Sequence, residues 1–186
     1  YAGVRGARPD AHHTISFGEA WKSTFDEIIR QGRLMSDPSF LLTAPTVTDP
    51  SLAPDGAHAY YALFPAPNLE HRRPIDWTKE SSRYVEHMLE TLAGRGFDID
   101  AEVQHVTTPA DWAAQGMPAG TPFAAAHRFG QTGPFRLSTL DRRIENLVFC
   151  GSNIQPGVGI PMVLLSGRLA AERVLRAGGP SATIGG

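Results

Sequence analysis

The chain has 186 residues, 41% of them hydrophobic, which is enough for a sizeable core and argues against a disordered segment. Its 17 basic and 19 acidic residues are spread along the sequence to a net charge of -2, so no basic stripe points to nucleic acid and no acidic tail to a solvating role. Cys150 is the only cysteine, which excludes a disulfide framework and a cysteine-based zinc site within one chain and suits a reducing compartment.

The opening residues, YAGVRGARPDAHH, lack the apolar core of a signal peptide and an initiator methionine, and no run reaches the roughly 18 apolar residues that cross a bilayer. A start at Tyr1 in mid-pattern is what a piece of a longer protein would show. In SFGEAWKSTFDEIIRQG the helical spacing of Trp21, Phe25, Ile28 and Ile29 predicts a helix between Ser16 and Gly32, with Gly32 as its stop. PSFLLTAPTV (38–47) and AYYALFPAP (59–67) read as antiparallel strands, joined by the turn-rich TDPSLAPDGAH.

Asp76 offers an N-cap for a helix running to Gly94 and Gly96, with Trp77, Ser81, Tyr84, Val85, Met88, Leu89 and Leu92 on one face. AEVQHVTT (101–108) alternates like a strand, and Thr108, Pro109 and Asp111 open a short helix. From Gly116 to Leu140 glycine, proline and aromatics follow no clear period, as in a long loop that lines or covers something. LVFC (147–150) reads as a strand and Met162–Leu175 as a helix followed by Gly178 and Gly179. The expected fold class is α+β, a mixed sheet with flanking helices plus a terminal strand-turn-helix.

Between that last strand and helix stands GSNIQPGVGIP, with three glycines and two prolines. Gly157 and Gly159 allow close approach of a ligand, and Pro161 suits a first helical position. The N–H groups of Met162 and Val163 would then point outward at the positive end of the helix dipole, worth about 0.3–1 kcal/mol per charge at exposed sites. The same residues would also serve a connection that needs them for geometry alone. G-x-G lacks its third glycine here, Met162 standing in that place, and no phosphate loop of the G-x-x-x-x-G-K-S/T kind occurs elsewhere.

The run NLVFCGSNIQPGVGIPMVLLSGRLAAERVL (146–175) closely resembles the carboxyl-terminal signature of bacterial-type carotenoid desaturases, the phytoene desaturase family of flavoproteins. PSFLLTAPTVTDPSLAPDG (38–56), FPAP (64–67), TPADWAAQGMPAGTPFAAAHRFGQTGPFR (108–136) and the FGEAWKSTFDEI helix are similar to the same family in the same order, so the resemblance covers nearly the whole chain.

The resemblance implies an FAD site in two halves, of which only the second is present; alone, the chain should not hold FAD tightly. It implies that Gly151, Ser152 and Asn153 end the strand beside the cofactor's phosphate and ribityl region, and that Gly157, Val158, Gly159, Ile160, Pro161 and Met162 lie along the isoalloxazine. A helix dipole aimed at the flavin's N1 and O2 would stabilise negative charge arriving there. Gln155 and Ile154 replace the histidine and threonine of a common form of the motif, which removes a titrating side chain from those positions.

Other candidates are weaker. His12 and His13, adjacent on a strand, would point to opposite faces and share no metal. Glu86 and His87 lie among charged helix neighbours, and His105 in an alternating strand. His127 and Arg128 fall in the irregular aromatic stretch, where a structural hydrogen bond competes with a chemical role. Phe123, Phe129 and Phe135 either line an apolar tunnel or pack over a core. No Ser-His-Asp order, metal-ligand spacing or paired-carboxylate arrangement stands out, and no catalytic residue or metal ligand is assigned.

The resemblance thus implies residues 1–140 as part of a substrate-binding domain and 141–186 as a segment returning to the FAD domain. It also implies an FAD-dependent desaturase that moves a hydride from a phytoene-like polyene to flavin. A carotenoid isomerase or other flavin oxidoreductase is the second reading; a flavin-free module that binds apolar lipids is the third. A hydrocarbon substrate implies a cytoplasmic protein peripheral to the inner membrane surface, with the apolar loop 117–136 as one contact. Apolar surface meant for the absent domain would make the isolated chain self-associate.

Overall fold

The computed structural model describes residues 1–6, 11–123, 125–126, 128–141, 143–145 and 147–178. The chain divides into two compact units, Tyr1–Thr121 and Pro122–Gly186.

The first unit is built on one five-stranded sheet in the order β2-β3-β4-β1-β5. Its strands are β1 (Ala2–Arg5), β2 (His13–Ser16), β3 (Phe40–Thr43), β4 (Ala57–Leu63) and β5 (Val103–Gln104). β3 and β4 pair antiparallel as the apolar runs predict, with Leu42 opposite Ala62. β2 lies antiparallel to β3, and β1 runs antiparallel to both β4 and β5. The sheet is therefore antiparallel throughout, not mixed.

Helix α1 (Trp21–Asp26) begins later than its periodicity suggests, because Ser16 still belongs to β2 and Asp37 Oδ2 accepts the Ala20 N–H at 2.8 Å. It continues as a π-helical turn, Glu27–Gln31, and stops where Gly32 takes a left-handed φ of 63°. Helix α2 (Trp77–Gly94) is capped by Asp76, which accepts from the Thr78 N–H. Its residues Trp77, Tyr84 and Leu92 are buried in a core with Phe40, Leu42, Ala44, Tyr60 and Phe64.

The rings of Phe40 and Phe64 stack at 5.1 Å, and the Arg95 guanidinium covers Phe40 at 5.4 Å while pairing with Asp37 at 2.8 Å. The backbone N–H of Ala20, joined by Arg95, holds the Asp37 carboxyl below its usual range. The buried Tyr84 hydroxyl donates to the Pro65 carbonyl at 3.0 Å, and burial pushes its pKa well up.

Helix α3 (Pro109–Ala114) carries the full reciprocal cap: Thr108 accepts from the Asp111 N–H and Asp111 accepts from the Thr108 N–H. β5 is shorter than the alternation of AEVQHVTT suggests, because its partner β1 has only four residues and pairs with it at two.

Among the described residues of the second unit, helix α4 (Ile160–Gly178) is the one long element. The irregular stretch before it forms short 3₁₀ turns at Phe129–Gln131 and Gly133–Phe135. The LVFC strand is corrected. Val148 pairs with Leu140 and Ile154 with Leu137 as isolated bridges only, and Phe149 and Cys150 are exposed. A four-residue apolar run becomes a strand only where a partner supplies a continuous ladder, and among the described residues of this unit none does.

Candidate functional site

The turn from 151 to 159 is held mainly by side chains reaching to backbone. Gly151 adopts φ 119° and donates its N–H to Ser166 Oγ at 3.2 Å, from a fully buried position on α4. The Ser152 carbonyl accepts from Arg136 Nη2, and Asn153 Oδ1 accepts from the Ala125 N–H at 2.9 Å. Ile154 is buried and donates its N–H back to the Gly151 carbonyl at 3.1 Å. The Gln155 N–H reaches the Leu137 carbonyl at 2.9 Å, while Gln155 Nε2 fans toward the carbonyls of Gly133, Pro134 and Arg136 at 3.4, 3.4 and 3.2 Å.

Beyond it, Gly157 is buried against Met162, Val158 is half-buried, and Gly159 is exposed with φ 95°. Any L side chain is strained at Gly151 and Gly159, yet among the described residues no atom beyond the glycine and its chain neighbours lies within 4 Å of where a Cβ would sit. A Cβ at either position would thus meet open space among the described residues. Ile160, Pro161 and Met162 begin α4 and are exposed.

One expectation needs correcting. The Val163 N–H is not available, because it makes the first helical bond, to the Gly159 carbonyl at 2.9 Å. Among the described residues, the N–H groups of Ile160 and Met162 make no backbone hydrogen bond at this helix end, and Pro161 between them has none to offer.

The structure places the nine residues singled out, from Gly151 to Met162, along one continuous stretch of backbone, as their sequence positions require. It also shows three that sequence reading did not assign. Arg136 is 5% exposed and tied to Ser152; Ser166 anchors Gly151; and Gln155 acts as a neutral donor to three carbonyls. A signal for Arg136 existed, an arginine set between Phe135 and Leu137.

The remaining candidates lie elsewhere or at the surface. The rings of His12 and His13 come within 4.4 Å of each other, because His12 precedes β2 and escapes its alternation. Their Nδ1 atoms meet Thr48 Oγ1 and Thr43 Oγ1. Glu86 is exposed, His87 packs near the ring of Tyr84, and His105 Nε2 meets Thr107 Oγ1 at 3.3 Å. Arg128 is exposed, and His127 lies outside the described residues. Phe129 and Phe135 meet at 5.2 Å, and Phe123 is also exposed, so these rings present apolar surface, not a closed tunnel wall.

Residues 20–175 match the family described as flavin containing amine oxidoreductase. The chain is 52% identical over 179 residues to the phytoene dehydrogenase of Streptomyces griseus, covering 94% of this chain and 35% of that protein. It is 41% identical to the zeta-carotene-forming phytoene desaturase of Myxococcus xanthus, over 94% of this chain and 34% of that one. To the lycopene-forming phytoene desaturase of a Paracoccus species it is 35% identical, over 93% and 35%. The chain spans about a third of the length of the curated relatives it matches.

Proposed function

The chain belongs to the flavin containing amine oxidoreductase family, and we propose that it is the carboxyl-terminal part of an FAD-dependent phytoene desaturase. Residues 1–140 are then part of the substrate-binding domain and 141–186 the segment that completes the FAD domain. The observation that carries this reading is the turn itself, read beside relatives whose names are phytoene dehydrogenase and phytoene desaturase.

Two features support its fit to a flavin. Open space at Gly151 and Gly159 lets a flat ring system approach backbone without side-chain hindrance, and the start of α4 offers N–H donors at the positive end of its dipole. When bound, FAD supplies the acceptor for the hydride removed from a saturated carbon of the polyene.

The residues of this chain do the rest. Gly151, Ser152 and Asn153 border the phosphate and ribityl portion. Gly157, Val158, Gly159, Ile160, Pro161 and Met162 lie along the ring, Ile160 and Met162 offering apolar side chains and N–H donors that favour electron density at its edge. Gln155 does not titrate, so the turn keeps one hydrogen-bonding pattern across the physiological pH range.

The relatives' names specify ζ-carotene in one case and lycopene in another. We therefore assign the substrate class, a phytoene-like polyene, and leave the number of double bonds to the rest of the protein. The protein works on the cytoplasmic side, at the membrane surface. The exposed rings of Phe123, Phe129 and Phe135 are one apolar contact, and no described helix is long and apolar enough to span a bilayer. Ile160, Leu164 and Leu175 are exposed on α4, so the isolated chain would self-associate through that helix.

The test is the full-length protein, purified and given phytoene in detergent or liposomes. A flavin absorption band together with a new conjugated-polyene spectrum is the expected result. A colourless protein that leaves phytoene unchanged would overturn the proposal. Sedimentation with liposomes checks the membrane contact, and failure to co-sediment removes it.

A further inference from the structure

The structure points to a second role in the same site: we propose that Arg136 and Gln155 are a positioning pair that fixes the shape of the flavin cradle, with the buried charge of Arg136 as its principal element. This rests on the FAD reading above. Neither residue is expected to touch the cofactor; both act through the backbone of the turn.

Arginine is almost never buried without a partner of opposite charge. Arg136 is 5% exposed, and among the described residues no carboxylate lies within ion-pair distance of it. Its guanidinium instead donates to two carbonyls, that of Gln131 at 3.2 Å and that of Ser152, while its Nε is buried without a partner. A cation removed from water under these conditions costs several kcal/mol, and an apolar residue of similar volume would serve stability as well or better. The arginine therefore contributes geometry: it ties the Gln131–Arg136 turn to Ser152.

Gln155 makes the complementary tie three residues on. Its side chain gathers the carbonyls of Gly133, Pro134 and Arg136, and its N–H reaches Leu137. Residues 152 and 155 are thus held from one side by the same segment, 131–137. Among the described residues, the backbone pairing available to do this job is a single bridge, Leu137 to Ile154. Side chains, not a ladder, set where Gly151 and Gly159 stand. Removing them should release the turn while leaving α4 formed.

The experiment uses the full-length flavoprotein with Arg136→Met, Arg136→Lys and Gln155→Met. It measures FAD affinity by flavin fluorescence titration of the apoprotein, visible circular dichroism of the bound flavin, and thermal unfolding of the apoprotein. Losing charged hydrogen bonds predicts FAD binding about 10–100-fold weaker in Arg136→Met, with an apoprotein melting temperature equal to or above wild type. Arg136→Lys recovers part of the affinity. Gln155→Met weakens binding by about tenfold or less and alters the dichroism.

Wild-type affinity and dichroism in Arg136→Met and Gln155→Met overturn the proposal. If Arg136→Met does not fold, the other two variants decide by the same criterion; if none folds, the pair is a folding element and the proposal is wrong. A wild-type protein that binds no FAD sinks the functional reading instead, so the two failures are distinguishable.

Discussion

Residues 1–121 and the described part of 122–178 keep their shapes by different means. In the first unit, antiparallel ladders order five strands and one face packs against α2 through Phe40, Leu42, Tyr60, Phe64, Tyr84 and Leu92. In the second, the buried set includes Arg136, Thr139 and Ser166 beside Ile154 and Ala170, and backbone pairing is reduced to isolated bridges. Apolar packing is non-directional and tolerant of small shifts, whereas a side-chain hydrogen bond to one carbonyl fixes one atom. The contrast teaches where each is used: packing where a surface must be supported, directed bonds where a turn must keep a set shape.

The most severe way to probe the packed unit is Leu92→Ala. Leu92 is 1% exposed, so its truncation is expected to cost about 2–5 kcal/mol. The loss should appear as faster hydrogen exchange along α2, with the 151–159 amides unchanged in protein that still folds. A loss below about 1 kcal/mol would mean that this core is not the chief support.

Ser166→Ala asks the same question of the second unit. It leaves the Gly151 N–H without its partner, at a cost of about 1–3 kcal/mol. Exchange at Gly151 should rise while α2 stays protected. Equal changes in both units would erase the contrast between them.

A smaller effect is expected from Thr108→Ala, which dismantles the reciprocal cap of α3 and costs about 0.5–2 kcal/mol, read as fraying of residues 109–114. The smallest effect is a pH dependence. Burial raises the pKa of Tyr84 above its ordinary 10.0, so in the unfolded chain this phenol ionises first as pH rises. Its contribution to stability is full below about pH 10 and declines above it. Urea midpoints between about pH 9 and 11 should fall less steeply in Tyr84→Phe than in wild type.

The same division decides what could be read from sequence. α2, α3 and the β3–β4 pair were legible because Asp76, Thr108, Pro109 and Asp111 are positional signals and the apolar residues of α2 recur at helical spacing. β1 and β2 were not: AGVR and HTIS hold no buried residue, so no hydrophobic alternation marks them. LVFC looks alike whether it becomes a strand or packed loop, and only its neighbours decide. In the candidate site, the glycines and Pro161 announced the turn. Gln155 and Ser166 were silent because a side-chain bond to a single backbone group leaves no period in a sequence, and Arg136 was marked only by its setting between Phe135 and Leu137.

The strand order has one more consequence, for synthesis. Ala2 of β1 stands opposite Tyr60 of β4 on one side and Gln104 of β5 on the other, whereas β2, β3 and β4 form a run of neighbours in the sheet. As the chain leaves the ribosome, β2, β3 and β4 can zip up in the order in which they emerge. β1, made before all of them, gains its first partner only with β4 and its second only with β5. Among the five described strands, the first in chain order is thus the last to gain its second neighbour, which comes only with residues 103–104.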